Sequence, residues 1–143
     1  MTIACGDFMA IKRYLLDTCA IKWHLEANKR INSLAEDIEY YQGDFAVSME
    51  SIKELVYLIQ SGKLKLEFDF ATFMKALEKD NISIIDFSTD ALKTLFSLPF
   101  YKDHPDPTDR HIIATAITQH RILISGDSMF EKYTDCGLKY MQI

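Results

Sequence analysis

Short apolar runs that stop at a charged or turn-forming residue alternate along this chain with stretches whose apolar positions recur every three or four residues. Ile11 to Leu16 (IKRYLL) is the first run and ends at Asp17. Phe45 to Ser48 (FAVS), Ile82 to Phe87 (ISIIDF) and Ile122 to Ser125 (ILIS) are three more, and Lys139 to Ile143 fits an edge strand. Short buried runs of this kind are expected to form strands. Between them, Cys19 to Glu26 places Ile21 and Leu25 four apart. Ile31 to Tyr41 repeats the spacing through Leu34, Ile38 and Tyr41, with Gly43 as its stop. Ser51 to Gln60 has an apolar face of Ile52, Leu55, Val56 and Ile59, and Gly62 lies just past its end. Phe70 to Lys79 (with Phe73, Met74 and Leu77), Thr89 to Leu98 and Asp109 to His120 complete the helices. A loop with Pro105 and Pro107 precedes the last of them, since the residue before each proline is pushed out of the helical region.

Strands alternating with helices predict an α/β fold: a three-layer α/β/α sandwich around a central, mostly parallel sheet of four to five strands. No repeat, low-complexity tract or linker interrupts the pattern, so residues 1–143 are expected to form one domain. Ligands of such sheets bind beyond the carboxyl ends of the strands.

Bulk properties narrow the reading only a little. Apolar residues make up 48% and charged residues 26%, the balance of a globular domain. No apolar run is long enough to cross a bilayer, and the opening MTIACGDFMAIKR lacks the apolar core of a signal peptide, so a cytoplasmic location is expected. Cys5, Cys19 and Cys136 are odd in number and widely spaced, which argues against a disulfide framework. The formal net charge of −5 is opposite to the basic footprint of most nucleic-acid binders. Two bound divalent ions would bring that sum to about −1, because such ions are often the largest charges in a site.

Three acids stand where the topology predicts a site. Asp17 ends the first strand, Asp127 follows the fourth, and Asp109 opens the helix leading into the fourth. Carboxylates converging there repel one another, and each would have a raised pKa unless a cation sat among them. A hard cation with oxygen ligands, Mg²⁺ or Mn²⁺, is the natural partner. Hydrolysis of a phosphodiester suits such a centre, because the metal lowers the pKa of a bound water and offsets phosphoryl charge. Helix capping is the competing explanation for each acid taken singly, as Asp17, Asp106 and Asp127 all precede helix-like segments. Asp106-Pro107-Thr108-Asp109 even has the order cap, proline at the first helical position, acid at the third. Capping alone does not explain several acids at one sheet edge. Glu54 falls at the margin of its helix's apolar stripe, which suits either a cleft or solvent, and Glu50 lies further onto the polar face.

These segments carry a family likeness. Tyr14-Leu15-Leu16-Asp17-Thr18, Ser48-Met49-Glu50-Ser51-Ile52-Lys53-Glu54-Leu55, Asp106-Pro107-Thr108-Asp109-Arg110 and Ser125-Gly126-Asp127 resemble, in order and spacing, the motifs of PIN-domain proteins, particularly VapC-like toxins of bacterial toxin–antitoxin pairs. The likeness spans residues 14 to 143. Thr108 departs from the usual aromatic, Pro105 separates His104 from Asp106, and Lys53 stands where a Trp is common in the subgroup. The resemblance implies a metal quartet of Asp17, Glu54, Asp109 and Asp127, one or two Mg²⁺ or Mn²⁺ ions and endonucleolytic cleavage of RNA. It also implies a homodimer and an antitoxin that occludes the site. Residues 1–9 have no counterpart in the pattern and are set down as a non-core extension or an ordinary one.

Other residues have two readings each. Arg110 suits a phosphate contact or a pairing with a neighbouring acid. Thr18 and Ser125 suit support of the metal ligands, or simply a first helical turn and a strand end. Asp106 is assigned to capping first. His24, His104, His111 and His120 show no i, i+4 pairing, so zinc is not expected, and Cys19 is expected to be buried or inert. Trp23, Leu25, Tyr57, Phe70 and Phe73 exceed what one small core needs, so part of this set is expected at a partner surface. Two alternatives remain: a PIN fold that binds RNA or protein without cutting, and a phosphoacceptor receiver-like domain. The second lacks an acidic pair after the first strand and a suitably placed lysine, and Asp86 is read as lying within its strand.

Overall fold

The computed structural model describes residues 11–26 and 43–143. The helix expected over residues 31–41 and the proposed extension over 1–9 lie outside the described residues. Elements follow in the order β1 (Arg13–Leu16), α1 (Thr18–Leu25), β2 (Asp44–Ser48), α2 (Met49–Gln60), α3 (Phe70–Lys79), β3 (Ser83–Ile85), α4 (Thr89–Ser97), α5 (Pro107–Thr118), β4 (Ile122–Ser125), a 3-10 segment (Ser128–Cys136) and β5 (Lys139–Gln142). The five strands form one sheet in the order β3-β2-β1-β4-β5, every pairing parallel.

Alternation along β1 separates two cores, as the period of two in a strand requires. Tyr14 and Leu16 face one side with Phe45, Val47 and Ile124, and are covered by Ile21 of α1, Ile52 and Leu55 of α2, and Phe73 and Leu77 of α3. Leu15 faces the other side with Ala46 and Leu123, beneath Ile112 to Ala116 of α5 and Phe130 and Tyr133 of the 3-10 segment. Leu15 and Leu16 are fully buried. Truncating either to alanine would cost about 2–5 kcal/mol, the usual range for a leucine in a packed core. At the amino end of the sheet Arg121 is 6% exposed. Its Nη1 donates to Tyr14 O at 3.1 Å and to Asp44 Oδ1 at 3.1 Å, tying β1 to β2.

Register fixes where the carboxyl edge lies. Leu16 pairs with both Val47 and Ile124, so Asp17, Ser48 and Ser125 emerge side by side. Two expectations need correction here. The third strand stops at Ile85, and Asp86 is an exposed residue beyond its end rather than within it. The α2 helix starts at Met49, two residues early, because Ser48 Oγ accepts from Ser51 N at 3.2 Å and serves as its cap. Among the described residues no helix is long and apolar enough to cross a membrane.

Candidate metal centre

Asp17 leaves β1 directly into α1 and is 6% exposed. Its Oδ1 accepts from Ala20 N at 2.7 Å as the helix cap, and its Oδ2 accepts from Ser125 Oγ at 2.5 Å. The capping explanation is therefore correct and incomplete, because the second oxygen is held by a residue 108 positions away. Burial pushes the Asp17 carboxyl up to about 6 against both hydrogen bonds, and the charges of Asp109 and Glu54 add to the rise.

Asp109 sits in the first turn of α5, after Asp106 as cap and Pro107 at the helix start, with its N–H donating to Asp106 Oδ1 at 3.1 Å. Burial pushes this carboxyl to about 6 as well. The His104 hydrogen bond opposes the shift, while Asp106 and Glu54 reinforce it. Glu54 projects from α2 within electrostatic reach of both Asp17 and Asp109. Glu50 instead pairs with Lys53 at 3.5 Å.

Asp127 follows β4 and caps the 3-10 segment, accepting from Met129 N at 2.9 Å. Its own N–H donates to Ser125 Oγ at 3.0 Å, so one hydroxyl bridges Asp17 and Asp127. Tyr140 Oη donates to Asp127 O at 2.6 Å, and burial, then Asp127 and Asp17, push that phenol up to about 12. Gly126 lets the Trp23 indole approach this turn, since a Cβ there would lie 2.6 Å from the ring.

Among the expected site residues, the charges of Asp109 and Glu54 raise Asp17 and that of Glu54 raises Asp109, while the ligand atoms that lie within 4.8 Å of one another belong to Asp109, Asp127 and His104. His104 joins this cluster although sequence spacing does not single it out from the other histidines. It lacks an i, i+4 partner and meets Asp109 only because the chain bends through Pro105 and Pro107, a juxtaposition that the prolines alone signal. Thr18 Oγ1, beside Asp17, is buried with no hydrogen-bond partner among the described residues. Crowded carboxyls with raised pKa values and an orphaned hydroxyl fit a hard divalent cation with bound water. Carboxylate oxygens dominate the donor set, as Mg²⁺ or Mn²⁺ requires.

Other placements differ from expectation. Arg110 forms no ion pair among the described residues. Its Nη1 donates to Pro99 O at 2.7 Å and its guanidinium lies 5.2 Å from the Phe100 ring centroid. Cys19 is exposed rather than buried, although partial burial, Asp17 and Glu54 push its thiol up and keep it a poor nucleophile. Of the expected partner-surface set, Phe73 belongs to the core, Trp23 and Leu25 pack against it, and Tyr57 and Phe70 are exposed. The largest exposed apolar groups lie elsewhere, with Phe96 92% exposed, beside a groove of about 880 Å³ bordered by Leu92, Phe100 and Pro107.

A parallel five-stranded sheet between helical layers, with acids at its carboxyl edge, defines an α/β/α domain. The PIN domain model matches residues 14–135, and the chain belongs to the PIN domain family. Three solved structures are similar. VapBC2 from Rickettsia felis, bound to a DNA fragment from its promoter, is 19% identical with a TM-score of 0.67, covering 90% of this chain and 97% of that one. DNA-bound VapBC from Salmonella typhimurium is 15% identical with a TM-score of 0.66, covering 92% and 98%. VapBC-1 from nontypeable Haemophilus influenzae is 14% identical with a TM-score of 0.60, covering 90% and 96%. No curated protein matches the sequence significantly.

Proposed function

We propose that this chain is a Mg²⁺- or Mn²⁺-dependent endoribonuclease and the toxin of a toxin–antitoxin pair, working in the cytoplasm as one PIN domain. The observation that carries the reading is the convergence of Asp17, Glu54 and Asp109, two of them pushed to about 6, beside Asp127. Four acids gathered at that cost to the metal-free fold are accounted for by a cation that repays it.

Asp17, Glu54, Asp109 and Asp127 hold one or two ions in this reading. A bound ion supplies a water of lowered pKa and a counter-charge for the phosphoryl oxygens of RNA. The chain's own groups prepare the pocket. Ser125 turns Asp17 by donating to Oδ2 and holds the Asp127 backbone with the same oxygen. Asp106 starts the helix that presents Asp109. Thr18 Oγ1 is available to a metal-bound water. Arg110, anchored to the loop by Pro99 and Phe100, is the candidate for a phosphate contact. The VapBC likeness supports an antitoxin partner, a homodimer is proposed from the family resemblance alone, and exposed Phe96 is the kind of apolar surface a protein partner covers.

The test is Asp17→Asn and Asp109→Asn, made separately and assayed on a mixed RNA pool with Mg²⁺, with Mn²⁺ and with chelator. Cleavage is expected to need the ion and to fall by at least about 100-fold in each variant, the order seen when one partner of a transition-state electrostatic site is lost. Cleavage that survives both substitutions overturns the reading.

A further inference from the structure

His104 lies five residues before Asp109 and is 6% exposed. Its ring stands edge-on to Phe130, 5.5 Å between centroids, and to Tyr133 at 5.6 Å. The backbone pins it on both sides, His104 N donating to Tyr101 O at 3.0 Å and His104 O accepting from Tyr133 Oη at 3.4 Å. Of its two ring nitrogens, Nε2 sits 2.9 Å from Asp109 Oδ2, while Nδ1 is buried with no partner among the described residues.

An aromatic-lined pocket is filled well by an apolar side chain, and a buried nitrogen without a partner is destabilising. Packing therefore does not account for an imidazole here. Its one polar contact does. We propose that His104 is the positioning residue of Asp109, donating from Nε2–H to Oδ2 so that Oδ1 alone is presented to the cation; this rests on the reading that Asp109 holds an ion. Direct ligation by Nε2 is the competing geometry, since this nitrogen shares the 4.8 Å cluster with Asp109 and Asp127. A ligating Nε2 would leave the hydrogen on Nδ1, and metal-bound histidines almost always donate that hydrogen to an acceptor. Among the described residues Nδ1 has none. The ring is thus built to hold the carboxylate.

The pairing also explains a mismatch in support among the acids. Asp17 is held at both oxygens by Ala20 N and Ser125 Oγ, deep at the strand end. Asp109 has a side chain 26% exposed on the first turn of a helix, and among the described residues His104 is the one hydrogen bond of its carboxylate. Without that bond the carboxylate would rotate between positions, and ordering it would be charged against ion affinity.

The experiment is Mn²⁺ titration by calorimetry on the wild type, His104→Leu, His104→Gln and Asp109→Asn, with melting curves in chelator to verify the fold. Glutamine keeps an N–H donor at a similar reach and leucine keeps only the packing. His104→Leu is expected to weaken Mn²⁺ binding by about 10–100-fold, the usual effect of removing a group that orients a metal ligand, and His104→Gln to recover most of it. Equal binding by wild type and His104→Leu overturns the proposal, as does His104→Gln binding no better than His104→Leu. A long-range ¹H–¹⁵N spectrum of the Mg²⁺-loaded wild type needs no variant to fold, and must show the hydrogen on Nε2; its absence there overturns the proposal. A wild type that takes up no Mn²⁺ removes the metal reading and this one with it. Binding that is lost in Asp109→Asn but intact in His104→Leu removes this one alone.

Discussion

Replacing Asp17 by asparagine should make the metal-free protein more stable while destroying its use for the metal. In the folded chain the Asp17 carboxyl is raised from 3.8 to about 6, chiefly by burial and further by Asp109 and Glu54. A carboxyl raised on folding binds its proton more tightly in the native state, so its contribution is fully present below about pH 4 and is lost as pH climbs through about 6. At about 1.4 kcal/mol per pH unit, that displacement corresponds to roughly 3 kcal/mol against the metal-free fold at neutral pH. Asparagine caps a helix as well as aspartate does, so the Ala20 contact survives, but it has one acceptor oxygen where the carboxylate uses two. A net gain of about 1–2 kcal/mol remains, or a rise of about 2–8 °C in melting temperature for a chain of this size. The assay is a melting curve in chelator at pH 4.5 and pH 7.5, then in millimolar Mn²⁺ at pH 7.5. Asp17→Asn should melt above the wild type at pH 7.5 in chelator, with the gap shrinking at pH 4.5. In Mn²⁺ the order should reverse, because the wild type alone gains about 2.7 kcal/mol at an ion concentration 100 times Kd. A gap that does not change between the two pH values, or an Asp17→Asn protein that melts lower in chelator, would refute the reasoning.

Three further substitutions separate the parts of the design. Ser125→Ala removes the hydroxyl shared by Asp17 and Asp127 and should cost about 1.5–3 kcal/mol in a urea titration, the range for a hydrogen bond to a charged group, with weaker Mn²⁺ binding by calorimetry. Gly126→Ala drives a methyl into the Trp23 ring and should destabilise by about 1–3 kcal/mol; as Trp23 is the one tryptophan, its emission spectrum reads the displacement directly. Arg121→Met cuts the tie at the far end of the sheet and should lower the melting temperature by an amount equivalent to about 1–3 kcal/mol, leaving Mn²⁺ affinity within about twofold of wild type.

Much of this architecture is legible in the chain because the strands are short apolar runs closed by Asp17, Ser48 and Ser125, and two of these closing residues, Asp17 and Ser125, meet at the candidate site. Phe70–Lys79 and Ile122–Ser125 fall where the periodicity places them. The segment Ser128–Cys136 leaves no such trace, since a 3-10 turn lacks the 3.6-residue period that marks an α-helix. Glu54 and Glu50 are hard to separate on a wheel, because the difference between them is the neighbouring α5 and not their own helix. His104 escapes for a related reason: its partner is brought round by a bend, and bends carry no period. Phe96 looks like a core residue in any helical projection, and only the packed structure leaves it outside.

The all-parallel sheet has a consequence for how the protein comes into being. Strand β1 is flanked by β2 and β4, so Asp17 finds Ser125 only after β4 has been made and has docked beside β1. Contacts so distant in sequence close slowly, in milliseconds to seconds for folds dominated by them. A nascent chain still on the ribosome therefore owns no cation pocket, and a fragment ending at His120 should take up no Mn²⁺ in a titration. The acids at the carboxyl edge are thus assembled only after β4 has left the ribosome and joined the sheet.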